Sequence, residues 1–291
     1  MRFEKWQALG NDYIVVEQDE LEFRLRPASI RLLCQAHFGV FADGVLLLSR
    51  STNPEIVANL SIYNPDGSEA ELSGNGAREA ILYLHHHKWT DKEVFSIHTT
   101  AGVITPTITG PNTCRVDMGK AALTSKDFPT GPPGGRGKLT VEGREWDFQH
   151  VSIGNPQCAI RVRDSMDLEG LDIESIGRTI ERHKLFPNRT NVSWYTKIPP
   201  TESEPNHIRA RIFERGVGQT WSSGTGAIGA AVAHYLSGGA KLGHLVTVGL
   251  PGGELEVEVG EDLSVNLTGW ARPVFEGRLS DNFVKELNET E

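Results

Sequence analysis

The chain has 291 residues, of which 38% are hydrophobic and 23% charged, and its formal net charge at pH 7 is −9. This composition is typical of a globular protein, and the length is sufficient for two domains. Because the balance is acidic and no basic stripe occurs, we expect no nucleic-acid partner. The longest apolar runs, such as 45–48, are too short to cross a bilayer, and residues 1–6 contain no apolar signal core. We therefore expect a cytoplasmic protein with no membrane partner.

The first part of the sequence predicts strands interleaved with two helices. Turn signals at 10–12 and 64–67 divide it. The stretch 56–63 alternates in the manner of a half-buried strand. Strands are predicted at 3–6, 13–16, 45–48, 56–63, 95–97, 103–108 and 114–118, and helices at 28–36 and from the phrase at 73–77 to about 88.

The second part repeats the order of a Gly-Asn turn, a helix, strands, a glycine-flanked phrase and a second helix. The segment 130–137, rich in glycine and proline, is the clearest loop or linker. The Gly-Asn turn at 154–155 resembles the one at 10–11. Helices are predicted at 171–183 and 227–236, strands at 192–195 and 208–213, and one or two closing strands at 265–276, which could return to the first domain.

The three cysteines and the histidine run do not indicate a metal site. Cys34, Cys114 and Cys158 are odd in number and widely spaced, so we expect neither a disulfide framework nor structural zinc. Cys158 precedes a strand-like run and reads as a buried core cysteine. Adjacent side chains at 85–87 would point about 100° apart on a helix, which favours a solvated helix end.

A five-residue phrase occurs twice, as SGNGA at 73–77 and as SGTGA at 223–227, 150 positions later. Each copy leads into a helix-like apolar stretch, and acidic residues precede both. Glycines let the backbone approach a ligand, and the N–H groups at a helix start favour a carboxylate or phosphate. Either serine alone is also an ordinary helix N-cap. The pairing indicates two half-domains that share a site and offer one group to each face of a substrate carbon.

Further motifs, taken in chain order, resemble those of the diaminopimelate epimerase family, whose members epimerise an amino acid without a cofactor. The matching segments are 10–12 (GND), 42–45 (ADGV), 66–71 (DGSEAE), 74–78 (GNGAR), 154–156 (GNP), 186–187 (FP), 190–192 (TNV), 214–218 (ERGVG), 224–227 (GTGA), 250–253 (LPGG) and 267–269 (LTG). The resemblance implies an α/β (α+β) fold of two pseudo-symmetric domains, each a barrel-like sheet around a central helix. It places the N-terminal domain at 1–118 plus about 268–291, the C-terminal domain at 119–267, and the active site in the cleft between them.

The resemblance also implies a reaction. LL-diaminopimelate would become meso-diaminopimelate, in lysine biosynthesis, by two-base proton transfer at the α-carbon, with no pyridoxal phosphate, no other cofactor and no metal. It assigns catalysis to Ser73, Ser223 and Glu214. It assigns the ammonium and carboxylate groups of this amino-acid substrate to Asn11, Asn64, Asn155, Asn191, Glu214 and Arg215, and the reacting carboxylate to N–H groups at Gly74, Asn75, Gly224 and Thr225. A homodimer is a further possibility that the family suggests.

The chain departs from the family at both catalytic positions, since the family's two cysteines fall on Ser73 and Ser223. A thiol has an ordinary pKa of about 8.5, whereas a hydroxyl is far less acidic and needs a partner base. The histidine that usually follows the Gly-Asn-Pro motif is Gln157, which would leave Ser73 paired with a glutamine, while Glu214 is retained beside Ser223. Further departures at Phe41, Glu79 and Ile228 favour a natural variant.

Two alternatives therefore stay open beside epimerisation. The first is a divergent isomerase or lyase of the same superfamily, which would abstract a proton on one side only, at Glu214 and Ser223. The second is a catalytically inactive homologue that binds amino acids through the retained asparagines.

Overall fold

The structure, a computed structural model, describes residues 1–71, 73–201 and 205–290. The chain divides into two compact units, one formed by Met1–Val116 with Gly269–Glu291 and the other by Asp117–Thr268. We call them the first and the second unit.

The described residues form nineteen strands and six α-helices, with a short 3-10 turn at Gln18–Glu20. The strands are β1 Arg2–Ala8, β2 Asn11–Glu17, β3 Val45–Arg50, β4 Ile56–Tyr63, β5 Glu69–Ala70, β6 Ser96–Thr99, β7 Gly102–Ile104, β8 Thr107–Gly110, β9 Thr113–Lys120, β10 Arg136–Val141, β11 Arg144–Ser152, β12 Pro156–Arg161, β13 Asn191–Lys197, β14 His207–Glu214, β15 Gly218–Thr220, β16 Leu245–Leu250, β17 Gly253–Val259, β18 Ser264–Trp270 and β19 Arg272–Arg278. The helices are α1 Pro27–Cys34, α2 Gly74–His86, α3 Ser165–Glu169, α4 Ile173–Glu181, α5 Gly224–Leu236 and α6 Asp281–Glu289.

The first unit is built on an eight-stranded sheet in the order β19-β1-β2-β3-β4-β6-β7, with β5 beside β4. The pairs β2–β3 and β4–β6 are parallel, and the other pairs along the sheet are antiparallel. Helix α2 packs on β1, β2, β3 and β19. The closing strand β19 thus returns to the first unit, where it pairs with β1.

The second unit repeats this arrangement, with strands in the order β10-β11-β12-β13-β14-β16-β17-β18 and β15 beside β14. Its parallel pairs, β12–β13 and β14–β16, occupy the same places in the order as those of the first unit. Helix α5 contacts strands β11 to β14, β16 and β17, and eleven of its thirteen residues are buried. Its sequence, GTGAIGAAVAHYL, suits this central place because small side chains let strands approach the helix from several sides. The duplicated α/β fold around central helices is therefore confirmed.

Several local predictions need correction. The single strand expected at 103–108 is divided between β7 and β8, because Pro106, which has no N–H to donate, separates them. The glycine- and proline-rich segment lies inside the second unit, and its last two residues already belong to β10. Helices α3 and α6 were not predicted, although Asp164 and Ser280 cap them as polar residues commonly do.

All three cysteines are free thiols in buried positions. Cys158 lies on β12 with no exposed surface, in a hydrophobic cluster of the second unit, so its interpretation as a core residue is confirmed. Burial raises the pKa of its thiol well above the ordinary value, which removes it as a substitute for a catalytic thiol.

The histidine run ends α2, as expected from the sequence. His87 is the C-cap residue, stacks on Tyr83 with ring centroids 4.2 Å apart, and places Nε2 2.7 Å from Glu4 Oε1. Across the described ranges, no group of three or more His, Cys, Asp or Glu side chains is positioned to hold a metal ion.

Candidate active site

The two copies of the repeated phrase occupy equivalent places in the two units. Val45 pairs with Tyr63 in the first unit, and Val192 pairs with Phe213 in the second. Ile14 pairs with Val45, and Cys158 pairs with Val192. This common register equates three further positions, Tyr13 with Gln157, Gly44 with Asn191 and Asn64 with Glu214. We call Asn11, Tyr13, Asn64, Ser73 and Asn75 the first half-site, and Asn155, Gln157, Glu214, Ser223 and Thr225 the second half-site.

Ser73 is the N-cap of α2, and its hydroxyl oxygen has two donors. The Gly76 N–H donates to Ser73 Oγ at 3.1 Å, which is the usual cap hydrogen bond. The Tyr13 hydroxyl donates to the same oxygen at 3.2 Å. Within the first unit, Ser73 therefore has a phenol as its side-chain partner.

A polar chain fixes the remainder of the first half-site. Asn75 Nδ2 donates to Asn11 Oδ1 at 3.2 Å, and Asn11 Nδ2 donates to Asp43 Oδ2 at 2.7 Å. The fully buried Arg78 guanidinium donates to Asn75 Oδ1 and to the Gly74 carbonyl. Asn11 and Asn75, two predicted binding residues, are thus in direct contact, and Arg78 sets the orientation of the phrase.

Asn64, the other residue predicted to bind substrate in this unit, lies just after β4. Its Nδ2 donates to Ser68 Oγ at 2.9 Å, and its backbone N–H donates to the Ser68 carbonyl at 2.8 Å. These bonds close the turn at 64–67 that the sequence predicts. The side chain is half-buried, so part of it reaches solvent.

Ser223 is the N-cap of α5, but its hydroxyl has a different partner. The Gly226 N–H donates to Ser223 Oγ at 3.3 Å, and Ser223 Oγ donates to Glu214 Oε2 at 3.1 Å. Thr220 Oγ1 donates to the other carboxylate oxygen, Oε1, at 2.8 Å. Burial raises the pKa of Glu214 above its ordinary value, and these two hydrogen bonds oppose that rise only in part. Glu214 is therefore a buried carboxyl group in direct contact with the Ser223 hydroxyl.

Asn155 and Thr225 repeat the contact that Asn11 and Asn75 make in the first unit. Asn155 Nδ2 donates to Thr225 Oγ1 at 3.2 Å. Gln157 has no exposed surface, and its Nε2 donates to Asn155 Oδ1 at 2.8 Å. Gln157 thus orients Asn155 within the second unit.

Asn191 is 4% exposed and links two loops of the second unit. Its Nδ2 donates to the Pro156 carbonyl at 3.1 Å, and its Oδ1 accepts the Arg215 N–H at 2.8 Å. The Arg215 side chain is exposed, and its guanidinium donates to the Asn188 carbonyl at 3.0 Å. Asn191 therefore holds the Gly-Asn-Pro loop against the Glu-Arg-Gly loop, while Arg215 presents its charge to solvent.

The backbone N–H groups predicted to bind a carboxylate all lie at helix starts. Gly74 and Asn75 open α2, and Gly224 and Thr225 open α5. The first N–H groups of an α-helix have no acceptor within the helix, and the helix dipole makes this end positive. Each half-site thus combines an anion-binding helix end with a serine.

Two residues of these half-sites were missed in the sequence. Tyr13 stands two positions after Asn11, and Thr220 stands three before Ser223. Tyr13 lies in a run for which the sequence predicts a strand only, and the packing of α2 on β2 brings it to Ser73. Thr220 lies on β15, opposite Ile212, and this pairing of β14 with β15 brings it to Glu214.

Comparison with known proteins places this geometry in a family. The family model described as Diaminopimelate epimerase matches residues 3–124 and 149–273. The chain belongs to the diaminopimelate epimerase family. It is 38% identical to the diaminopimelate epimerase of Desulfitobacterium hafniense, over 97% of this chain and 99% of that protein. It is 36% identical to diaminopimelate epimerase 1 of a Nostoc species, over 96% and 99% of the two chains.

Solved structures extend the family fold to more distant proteins. A phenazine biosynthesis protein of the PhzF family from Bacillus anthracis superposes with a TM-score of 0.68 at 16% identity, over 96% of this chain and 99% of that one. A probable proline racemase from Agrobacterium radiobacter K84 gives a TM-score of 0.66 at 15% identity, over 99% and 95% of the two chains. At this identity the likeness concerns the fold alone.

None of the helices within the described residues has the length and apolar character needed to span a membrane. The two longest, α2 and α5, have 13 residues each, against about 20 for a spanning helix.

Proposed function

We propose that this protein, an isomerase of the diaminopimelate epimerase family, interconverts LL- and meso-diaminopimelate by two-base proton transfer at the α-carbon, without pyridoxal phosphate. The observation that carries the proposal is the contact between Ser223 Oγ and Glu214 Oε2, at 3.1 Å, at the start of a helix whose counterpart in the first unit begins with Ser73. In this proposal Ser73 is the proton-transfer group of the first unit and Ser223 that of the second.

The chemistry on the Ser223 side follows from its hydrogen bonds. As Ser223 Oγ takes the α-proton of the substrate, its own proton passes to Glu214, so that the serine stays neutral and the carboxylate becomes a carboxyl group. This relay supplies the partner base that a hydroxyl needs. The N–H groups at the starts of α2 and α5 hold the reacting carboxylate and stabilise the negative charge that develops next to it.

The remaining polar residues have two different parts in this proposal. Arg215 is an exposed cation that suits a substrate carboxylate. Asn11, Asn64 and Asn155 are half-buried, and their amides offer both donors and acceptors to ammonium and carboxylate groups. Asn191 supports binding by positioning the Arg215 backbone.

We also propose a cytoplasmic homodimer. The three buried free cysteines suit a reducing compartment. Strand β19 is at the end of the strand order of its sheet, and its Val274 and Phe275 are 54% and 46% exposed. An exposed apolar edge strand favours pairing with a second chain.

The test is incubation of the purified protein with LL-diaminopimelate in deuterated water, followed by NMR and chiral separation. We expect deuterium at the α-carbon together with meso product. Ser73→Ala and Ser223→Ala should each abolish inversion, whereas Ser237→Ala, at the other end of α5, should not.

The other outcomes identify the alternatives. Deuterium incorporation without inversion in the wild type would indicate one-sided chemistry of the isomerase or lyase kind. Binding in calorimetry without any exchange would indicate an amino-acid binding protein and would contradict the proposed reaction.

A further inference from the structure

Each half-site contains one group that can exchange a proton with its serine. The group stands at one position of the repeat in the first unit and at another position in the second unit. Position 64 of the first unit is an asparagine where the second unit has Glu214. Position 157 of the second unit is a glutamine where the first unit has Tyr13. An amide does not serve as an acid or base near neutral pH. Tyr13 and Glu214 are therefore the titratable partners of the two serines.

The directions of the hydrogen bonds also differ between the half-sites. Ser73 Oγ accepts from Tyr13 and from the Gly76 N–H, so neither bond uses the proton of Ser73. Ser223 Oγ accepts from the Gly226 N–H but gives its proton to Glu214. The first serine thus has a proton to donate, and the second serine has its proton already directed to a base.

The Tyr13 ring packs against the backbone of Gly44, where a residue with a side chain would collide with the ring. A Cβ added at Gly44 would lie 2.6 Å from Cε1 of that ring, which is closer than side chains pack. The ring is 5% exposed, so its hydroxyl has little freedom to turn away from Ser73. In the second unit the position of Gly44 is taken by Asn191, and Gln157 bonds Asn155.

We propose that Tyr13 is the proton-relay partner of Ser73, so that the first half-site gives a proton to the substrate while the second half-site takes one through Glu214. Tyr13 acts through the serine and is a positioning and relay residue. This inference rests on the proposed function and adds the direction of proton flow.

The relay balances in protons. Ser73 transfers its hydroxyl proton to the α-carbanion, and the Tyr13 phenol passes its proton to Ser73 Oγ, which leaves a phenolate. On the other side the α-proton has gone to Ser223 and the Ser223 proton to Glu214. This direction requires Tyr13 as the phenol and Glu214 as the carboxylate at the start, since these are the forms that give and take a proton.

The experiment compares Tyr13→Phe with Tyr83→Phe, since Tyr83 donates to Glu17 and lies outside both half-sites. Inversion and α-proton exchange are measured in deuterated water for the LL and meso isomers separately. We expect Tyr13→Phe to lower inversion by about 10²-fold or more, the usual contribution of an acid–base group. Exchange with retention should persist for only one isomer, the one whose α-hydrogen is presented to Ser223. Tyr83→Phe should behave as the wild type.

A second variant separates proton relay from structure. Ser73→Cys provides a thiol that is acidic enough to give up a proton by itself. In this background Tyr13→Phe should cost far less inversion than in the serine background, which a purely structural role of the ring would not produce.

Three results would overturn the inference. Unchanged inversion in Tyr13→Phe would do so while leaving the proposed function intact. Equal loss of exchange for both isomers, not relieved by Ser73→Cys, would make Tyr13 a structural residue. Neither exchange nor inversion in the wild type would refute the proposed function and this inference with it.

Discussion

At the scale of single residues, the chemistry depends on what each serine touches. A serine hydroxyl is a weak acid and a weak base, so its activity comes from its neighbour. Ser223 has a carboxylate whose pKa burial raises, and Ser73 has a phenol. The helix N-cap role is common to both serines, so it does not distinguish them.

Glu214→Gln tests the carboxylate directly. Because the base must be ionised, kcat/KM should fall as pH drops below the pKa of Glu214, and burial places this fall at a higher pH than for an ordinary glutamate. The variant should lose about 10²- to 10⁴-fold in kcat/KM, and its residual kcat/KM should lack the acid limb, which is the fall at low pH. The measurement is the pH profile of kcat/KM with Glu174→Gln, an exposed site in the same unit, as the control. An unchanged acid limb in Glu214→Gln would contradict the assignment.

Asn191→Ala tests the link between the two loops of the second unit. It removes the donor to the Pro156 carbonyl, in a buried place, and the acceptor of the Arg215 N–H, in a partly buried one. We expect a loss of about 1–3 kcal/mol in the free energy of unfolding. Urea unfolding measures it, with Asn59→Ala, whose hydrogen bonds are 3.4 Å long, as the control. Equal effects of the two substitutions would argue against the linking role.

At the scale of elements, α2 and α5 begin alike and differ in what they bury. Helix α5 is lined with small residues, whereas α2 buries Arg78 and Glu79 side by side with no exposed surface. Burial raises the pKa of Glu79 well above its ordinary value, and the neighbouring Arg78 offsets this only in part. The Tyr13 backbone also lowers the pKa of Glu79 through a hydrogen bond, but this is the smallest of the effects on it.

Glu79→Gln should therefore stabilise the protein at neutral pH. A raised pKa in the folded state means that the wild type gains stability below the unfolded-state pKa and loses it as pH rises towards the folded-state value. Relative to the variant, the wild type should lose about 1.4 kcal/mol per pH unit over this window. Urea unfolding from pH 5 to 8 checks the slope, with the exposed Glu286→Gln on α6 as the control. A difference that does not vary with pH would contradict the raised pKa of Glu79.

At the scale of the whole molecule, the repeated arrangement explains the repeated phrase. The two units share their strand order and the places of their parallel pairs. Asn64 and Glu214 are 150 positions apart, as are Ser73 and Ser223. These equivalences indicate one ancestral half with two divergent sites. The strand order of the first unit also has two ends, β19 and β7.

Val274→Lys should convert a dimer joined at β19 into monomers, because a charge on an edge strand opposes pairing. Val103→Lys, on β7 at the other end of the same sheet, is the matched control, since Val103 is equally exposed at 55%. Analytical ultracentrifugation measures both. A wild-type monomer, or a dimer insensitive to Val274→Lys, would refute the β19 interface.

The sequence by itself determined the features that depend on neighbouring residues. The cap at Ser73 needs only the N–H three residues later, and the alternation at 56–63 follows from the period of a strand, so both could be predicted. The duplicated phrases and the ordered motifs were sufficient for the family and the fold. Helix α3 escaped prediction because it has five residues, and α6 because most of its nine residues are polar and it buries Val284 and Leu287 alone.

The tertiary structure alone decided which side chains meet. Tyr13 and Ser73 are 60 residues apart, and they meet because the strand register brings β2 beside the start of α2. Within the second unit, Gln157 donates a hydrogen bond to Asn155. Burial likewise raised the pKa of Glu214 and Glu79, which share one residue type and differ in their partners. Register and burial are non-local properties, and a hydrogen bond a few ångströms long depends on both, so no local pattern could specify these contacts.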